Sequence, residues 1–98
     1  MMKFLYSILL FTFSLSGVQA NLAYITNEKD NTVSVIDIKK KKVIKTVEVG
    51  QRPRGIIMSK DGKLVLICAS DDDRVEVRDA KTMKLKYHLP SGPDPELF

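Results

Sequence analysis

The chain has one cysteine, one histidine and no tryptophan in 98 residues. Each scarcity excludes something. A lone Cys68 forms no intramolecular disulfide, so no covalent staple stabilises this small chain. It sits in the apolar run Leu64-Val65-Leu66-Ile67-Cys68-Ala69, where a thiol is expected to be buried and structural rather than reactive. A lone His88 builds no histidine metal cluster, and no serine stands with it in a nucleophile motif. It is expected on the polar face of an outer strand, and neither catalytic nor metal-binding residues are expected here. Basic residues outnumber acidic ones, 16 to 12, for a formal charge of +4. That excess is too small to imply nucleic acid as a partner. After the first twenty residues no stretch has a helical period.

Residues 1–20 read as an export signal. Lys3 supplies the positive start, Phe4 to Phe13 an apolar core, and Val18-Gln19-Ala20 the small residues that signal peptidase selects. Cleavage is expected between Ala20 and Asn21, which places the chain in the periplasm or outside the cell. The apolar stretch is about half the length of a spanning helix, so no membrane span is expected after cleavage.

What the chain does have is an internal repeat at a spacing of 42 residues. Shifted by that distance, Leu22–Ile56 falls on Leu64–Phe98 without a gap. Identical pairs include Leu22/Leu64, Asp30/Asp72, Val33/Val75, Val35/Val77, Asp37/Asp79, Lys39/Lys81, Lys42/Lys84, Gly50/Gly92 and Pro53/Pro95. Average residue usage would give roughly two. A period of about 40 to 50 residues built of strands and turns marks a propeller blade.

Four strands fit each unit. Ile56–Ser59 is short and apolar. Lys60-Asp61-Gly62-Lys63 carries a strong hairpin signal. Leu64–Ala69 is apolar throughout, as a strand covered on both faces would be. Arg74–Asp79 places Val75 and Val77 on one face, and Lys84–Leu89 alternates lysine and histidine with Leu85, Tyr87 and Leu89. Polarity rises from the second strand to the fourth, the order expected from the centre of a propeller to its rim. The first unit supplies only strands two to four, at Leu22–Asn27, Thr32–Ile38 and Val43–Val49. The expected fold is therefore all-β: a propeller of four-stranded blades of about 42 residues, with about 1.75 blades present. Residues 22–49 form strands two to four of one blade and residues 56–89 a complete second blade. The chain is expected to stop as a third begins, with the innermost strand of the first blade coming from sequence beyond Phe98.

Ala23-Tyr24-Ile25-Thr26-Asn27, followed by Asn31-Thr32-Val33-Ser34-Val35-Ile36-Asp37, by Val49-Gly50-Gln51-Arg52-Pro53-Arg54-Gly55 and by Ser59-Lys60-Asp61-Gly62, resembles the YVTN repeat. The second copy is degenerate, with Leu66-Ile67-Cys68-Ala69 in place of the tetrad. The resemblance implies an exported propeller of seven blades. Within the family the start of the chain is most similar to the propeller associated with pyrroloquinoline-quinone-dependent alcohol catabolism. The resemblance implies a non-catalytic binding or accessory module, with a periplasmic quinone dehydrogenase or cytochrome as partner beside the missing blades of the same chain. Two alternatives stand next to it. One is an enzyme, lactonase-like or haem d1-like, with its active residues on missing blades; the other is a surface-layer or adhesion propeller. No Cys-x-x-Cys-His haem-attachment motif occurs, and no cofactor is evident.

The best binding candidates are Arg52 and Arg54. They flank Pro53 in the crossing between blades, at the expected rim of the central channel, where two guanidinium groups could meet a carboxylate or phosphate. The second copy carries Asp94 and Glu96 there, which permits an ionic link between neighbouring blades. Lys39-Lys40-Lys41-Lys42 is expected to be a solvated hairpin turn. Asp71-Asp72-Asp73 lacks the alternation of a calcium loop and is expected to cap a turn, and Asp37 and Asp79 to accept hydrogen bonds from the turns that follow them.

Overall fold

The computed structural model describes residues 21–98; the expected export signal lies outside them. Seven antiparallel strands form two sheets. The first holds β1 (Leu22–Asn27), β2 (Thr32–Asp37) and β3 (Lys42–Glu48) in sequential order. The second holds β4 (Pro53–Met58), β5 (Leu64–Ala69), β6 (Arg74–Asp79) and β7 (Leu85–Pro90), also in sequential order. These are a three-stranded and a four-stranded propeller blade. Between β5 and β6 the chain makes one turn of 3-10 helix, Ser70–Asp72. Asn21, the first residue after the expected cleavage point, already belongs to the fold, since its carbonyl accepts the Ile38 amide at 2.9 Å. No described helix is long and apolar enough to cross a membrane.

The strand order agrees with the sequence; the bounds of β2, β3 and β7 and the end of β4 differ by one residue, and the start of β4 by three. The innermost strand of the second blade begins at Pro53, three residues before Ile56. Pro53 opposes Ala69, Ile56 opposes Ile67, and the register shifts between them. The inner edge of β4 is unpaired among the described residues, so a residue without an amide proton is tolerated there, and a bulge takes up Arg54 and Gly55. Residues 91–98, expected to lead into a third blade, are irregular.

The core lies between the blades. Val33 and Val35 of β2 meet Val65 and Ile67 of β5 and Met83 of the β6–β7 loop, all buried. β5 is covered on both faces, as its unbroken apolar run requires. β7 is exposed along its whole length, so polarity rises outward.

The repeat is written in the backbone as well. Among the described residues six other than glycine have positive φ, and they fall into three pairs 42 apart: Asn31 and Asp73, Lys41 and Met83, Arg52 and Asp94. Four of them close hairpin loops. The other two stand where one blade hands over to the next. Asn and Asp tolerate this left-handed region, whereas Lys, Met and Arg enter it at a cost of about 1 kcal/mol or more. The joint is a fixed hydrogen bond. The Arg52 amide donates to Asn31 Oδ1 at 2.8 Å, and the Asp94 amide donates to Asp73 Oδ1 at 2.9 Å.

Candidate functional site

Both candidate arginines stand where β3 crosses to β4. Arg52 precedes the strand. Arg54 lies within it, on the bulge, which corrects its placement in a loop. The bulge is held by the first blade, where Thr26 Oγ1 donates to the Arg54 carbonyl at 2.9 Å. A small cleft of about 320 Å³ opens beside it, lined by Thr26, Glu28, Arg54, Gly55, Glu96 and Leu97 among others. Gly55 is required by crowding: a Cβ there would lie 2.6 Å from the Glu96 carbonyl oxygen.

Each arginine is paired with the acid 42 residues later. Arg54 Nη1 bonds Glu96 Oε1, and Arg52 Nη2 reaches Asp94 Oδ1 at 3.2 Å. Arg52 Nε donates to Ser70 Oγ at 3.1 Å and lies 3.5 Å from Asp71 and 3.9 Å from Glu28. The two joints thus form a segment of alternating charge, at the expected rim, in which an arginine on one joint grips an acid on the next. About a third of each arginine side chain stays exposed. Only Nη1 of Arg54 donates to a side chain among the described residues, so its Nε and Nη2 protons are open to an added anion.

The other sequence candidates are dispersed. Asp71-Asp72-Asp73 serves the joint: Asp72 Oδ2 accepts the Gln51 amide at 2.8 Å and Asp73 accepts Asp94. No group of metal-ligating side chains occurs among the described residues. Asp79 accepts the amides of Lys81 and Thr82 at 2.8 and 2.9 Å, and these bonds, Thr82 first, hold its carboxyl below the ordinary 3.8. Asp37 accepts the Lys40 amide at 3.0 Å. Lys39, Lys40 and Lys41 lie in an exposed turn, and Lys42, expected in the same turn, opens β3 and is exposed as well. Cys68 is free and buried, and burial pushes its thiol above the ordinary range. His88 is exposed on β7.

One pair escaped the reading of the sequence. Glu76 and Arg78 of β6 are buried on the face that packs against the first blade, with Arg78 Nε 2.8 Å from Glu76 Oε1 and Nη1 2.8 Å from the Met83 carbonyl. Opposite charges two apart on one strand face were the available signal.

A family model, the cytochrome D1 heme domain, matches residues 10–95. No curated protein matches the chain. Among solved structures, hydrazine synthase of Kuenenia stuttgartiensis superposes with a TM-score of 0.74 at 23% identity, over 79% of this chain and 22% of that one. Apo AztD of Citrobacter koseri gives 0.70 at 23%, over 82% and 23%. The dihydro-heme d1 dehydrogenase NirN, in complex with DHE, gives 0.66 at 22%, over 78% and 16%. At these identities the likeness is one of fold. The chain spans about a fifth of the length of these proteins.

These findings correct the functional expectation. The match is to a haem domain, so the non-catalytic accessory reading gives way to the haem d1-like alternative; the quinone association is not part of what matches. The described residues fit such a group at its edge and not at its metal. Arg52 and Arg54 suit the peripheral carboxylates of a macrocycle. Iron needs His, Cys, Met or Tyr, and none stands beside the rim with a free donor: His88 is on the outer strand, Cys68 is buried, and the Tyr24 hydroxyl donates to the Ala80 carbonyl at 3.1 Å. With a family model covering most of its length, the chain belongs to the cytochrome D1 heme domain family.

Proposed function

We propose that the chain contributes two neighbouring blades to an exported propeller that holds a haem d1-type macrocycle in its central channel. The match to the cytochrome D1 heme domain over residues 10–95 carries this reading. NirN, described as a dihydro-heme d1 dehydrogenase solved with DHE, is a protein of similar fold that takes a ligand of this class. The iron ligand and the reaction belong to blades outside this sequence. The part of these two blades is to receive and orient carboxylates: Arg54 offers its unengaged Nε and Nη2, and Arg52 holds Asp94 and Asp71 away from the incoming anion. Residues 1–20 direct export, with Asn21 as the new first residue. A cytochrome is the expected redox partner.

The test is titration of the whole protein with a carboxylate-bearing tetrapyrrole, iron protoporphyrin IX, followed by absorbance. Tight binding is expected, and Arg54→Ala should weaken it about tenfold or more, the loss of a hydrogen bond to a charged group. No binding by the whole protein, undiminished binding by Arg54→Ala, or equal binding of the porphyrin with its carboxylates blocked as methyl esters rejects the reading. Amino-terminal sequencing of the exported protein checks the cleavage at Asn21.

A further inference from the structure

Charge is strongly segregated along the strands. At the end bearing the β1–β2 and β5–β6 turns and the crossings between blades (residues 28–31, 48–54, 71–74 and 94–96), eight acids oppose four bases, a formal −4. At the opposite end (residues 37–45, 60–63 and 79–86), ten lysines oppose three aspartates, a formal +7. Those three aspartates are occupied by their own turns. Asp37 accepts Lys40, Asp79 accepts Lys81 and Thr82, and Asp61 Oδ1 accepts Ser59 Oγ at 2.6 Å and the Lys63 amide at 2.9 Å. None of the ten lysines is in an ion pair among the described residues. The net charge of the chain conceals this field.

A cleft of about 1170 Å³ between the two blades opens onto the lysine end. Lys45, Lys63, Lys81 and Lys86 stand among its lining residues beside the three turn aspartates, with Ile44 and Tyr87. Ile44 is 53% exposed and Tyr87 49%. Both walls belong to blades present here, so other blades of a ring do not fill it. An apolar centre inside a charged rim is the composition of a protein docking site.

We propose that this cleft docks an acidic protein segment that inserts an apolar side chain. Three features favour that occupant. The free cations are lysines, point charges that suit scattered carboxylates; the bidentate forks that select phosphate are arginines, and Arg78 is spent on Glu76. A flat bilayer does not reach the wall of a concave cleft. The volume also exceeds the roughly 300–1,000 Å³ of a typical small-molecule pocket. The excess of lysines at this end steers the partner in, and the apolar wall holds it.

The test uses the full chain and two labelled peptides, followed by fluorescence anisotropy: a short glutamate peptide with a central leucine, and the same peptide with glutamate in place of leucine. The leucine peptide should bind more tightly, and less so as salt rises. Lys45→Glu combined with Lys86→Glu should weaken it by about tenfold or more. Ile44→Ser should weaken the leucine peptide and leave the all-glutamate peptide unchanged. All three side chains are exposed, and circular dichroism checks that the variants stay folded. Equal binding of the two peptides, indifference to the Lys45/Lys86 change, or binding only to vesicles of phosphatidylglycerol and phosphatidylcholine overturns the proposal. The haem reading can fail without touching this one, because the cleft lies at the far end of β4 from Arg54.

Discussion

Ile25 and Ile67 are the same residue at the same place in two blades, yet one is 47% exposed and the other 0%. The rest of the two equivalent faces diverges in the same sense. Asn27, Thr32 and Ser34 of the first blade form a polar cluster, in which Asn27 Nδ2 donates to both hydroxyls at 3.0 and 2.9 Å. Their counterparts are Ala69, Arg74 and Glu76, of which Ala69 and Glu76 are buried. Lys41 is exposed where Met83 is buried, although both hold a positive φ. The backbone is shared; the neighbour decides the side chain. A face that meets another blade is apolar with one closed ion pair, and a face without one here is small and hydroxyl-rich.

That contrast can be broken most severely at Glu76. Glu76→Ala leaves Arg78 buried without its partner and should cost about 3–5 kcal/mol in urea unfolding. Ser34→Ala, at the equivalent position, should cost about 1 kcal/mol. Replacing both charges, Glu76→Leu with Arg78→Met, should recover most of the loss. Equal effects at Glu76 and Ser34 would mean that the two blades do not pack as described.

The next largest effect is expected at the matched isoleucines. Ile67→Ala should cost about 2–5 kcal/mol through transfer and cavity, and Ile25→Ala about 1 kcal/mol from partial exposure alone. A smaller difference separates the two repeated glycines. A Cβ added at Gly50 would lie 2.8 Å from the Ala69 Cβ and 2.7 Å from an Asp72 oxygen, so Gly50→Ala should cost about 1–3 kcal/mol by overpacking. Gly92 has open space around it but a φ of +78, so Gly92→Ala should cost about 1 kcal/mol and Gly92→Asn less.

The smallest effect concerns pH. The folded state lowers the carboxyls of Asp79, through the Thr82 and Lys81 amides, and of Asp61, through the Ser59 hydroxyl first. A depressed carboxyl contributes stability that is present above the ordinary 3.8 and is lost as pH falls through the folded value. Asp79→Asn with Asp61→Asn should therefore flatten the acid limb of stability below that point. A limb of unchanged slope would assign acid unfolding to other carboxylates.

The sheets could be read from the sequence because their signals are local. Asp61-Gly62 turns the chain where expected, with Gly62 at φ +73, and the apolar run of β5 marks a strand between two others. The start of β4 could not, since Pro53 and Gly55 are poor strand residues that only an unpaired edge and a bulge accommodate. Glu76 and Arg78 look like solvent-facing alternation until the first blade is placed over them. The rim pairs Arg52–Asp94 and Arg54–Glu96 are visible as charge reversal across the repeat, but only the fold brings successive joints together. The haem d1-like reading stood only as an alternative for a different reason: the described residues place no iron ligand beside Arg52 and Arg54, so the family match had to favour it.

The two hydrogen bonds that open successive joints, Arg52 to Asn31 and Asp94 to Asp73, have one further consequence. Each fixes the angle at which the chain leaves one blade for the next, and each uses a backbone amide, so the angle survives exchange of arginine for aspartate. A closed ring forms only when such angles add to a full turn. In a propeller such steps set the rotation from blade to blade, so side chains on the faces can diverge while the step between sheets is kept.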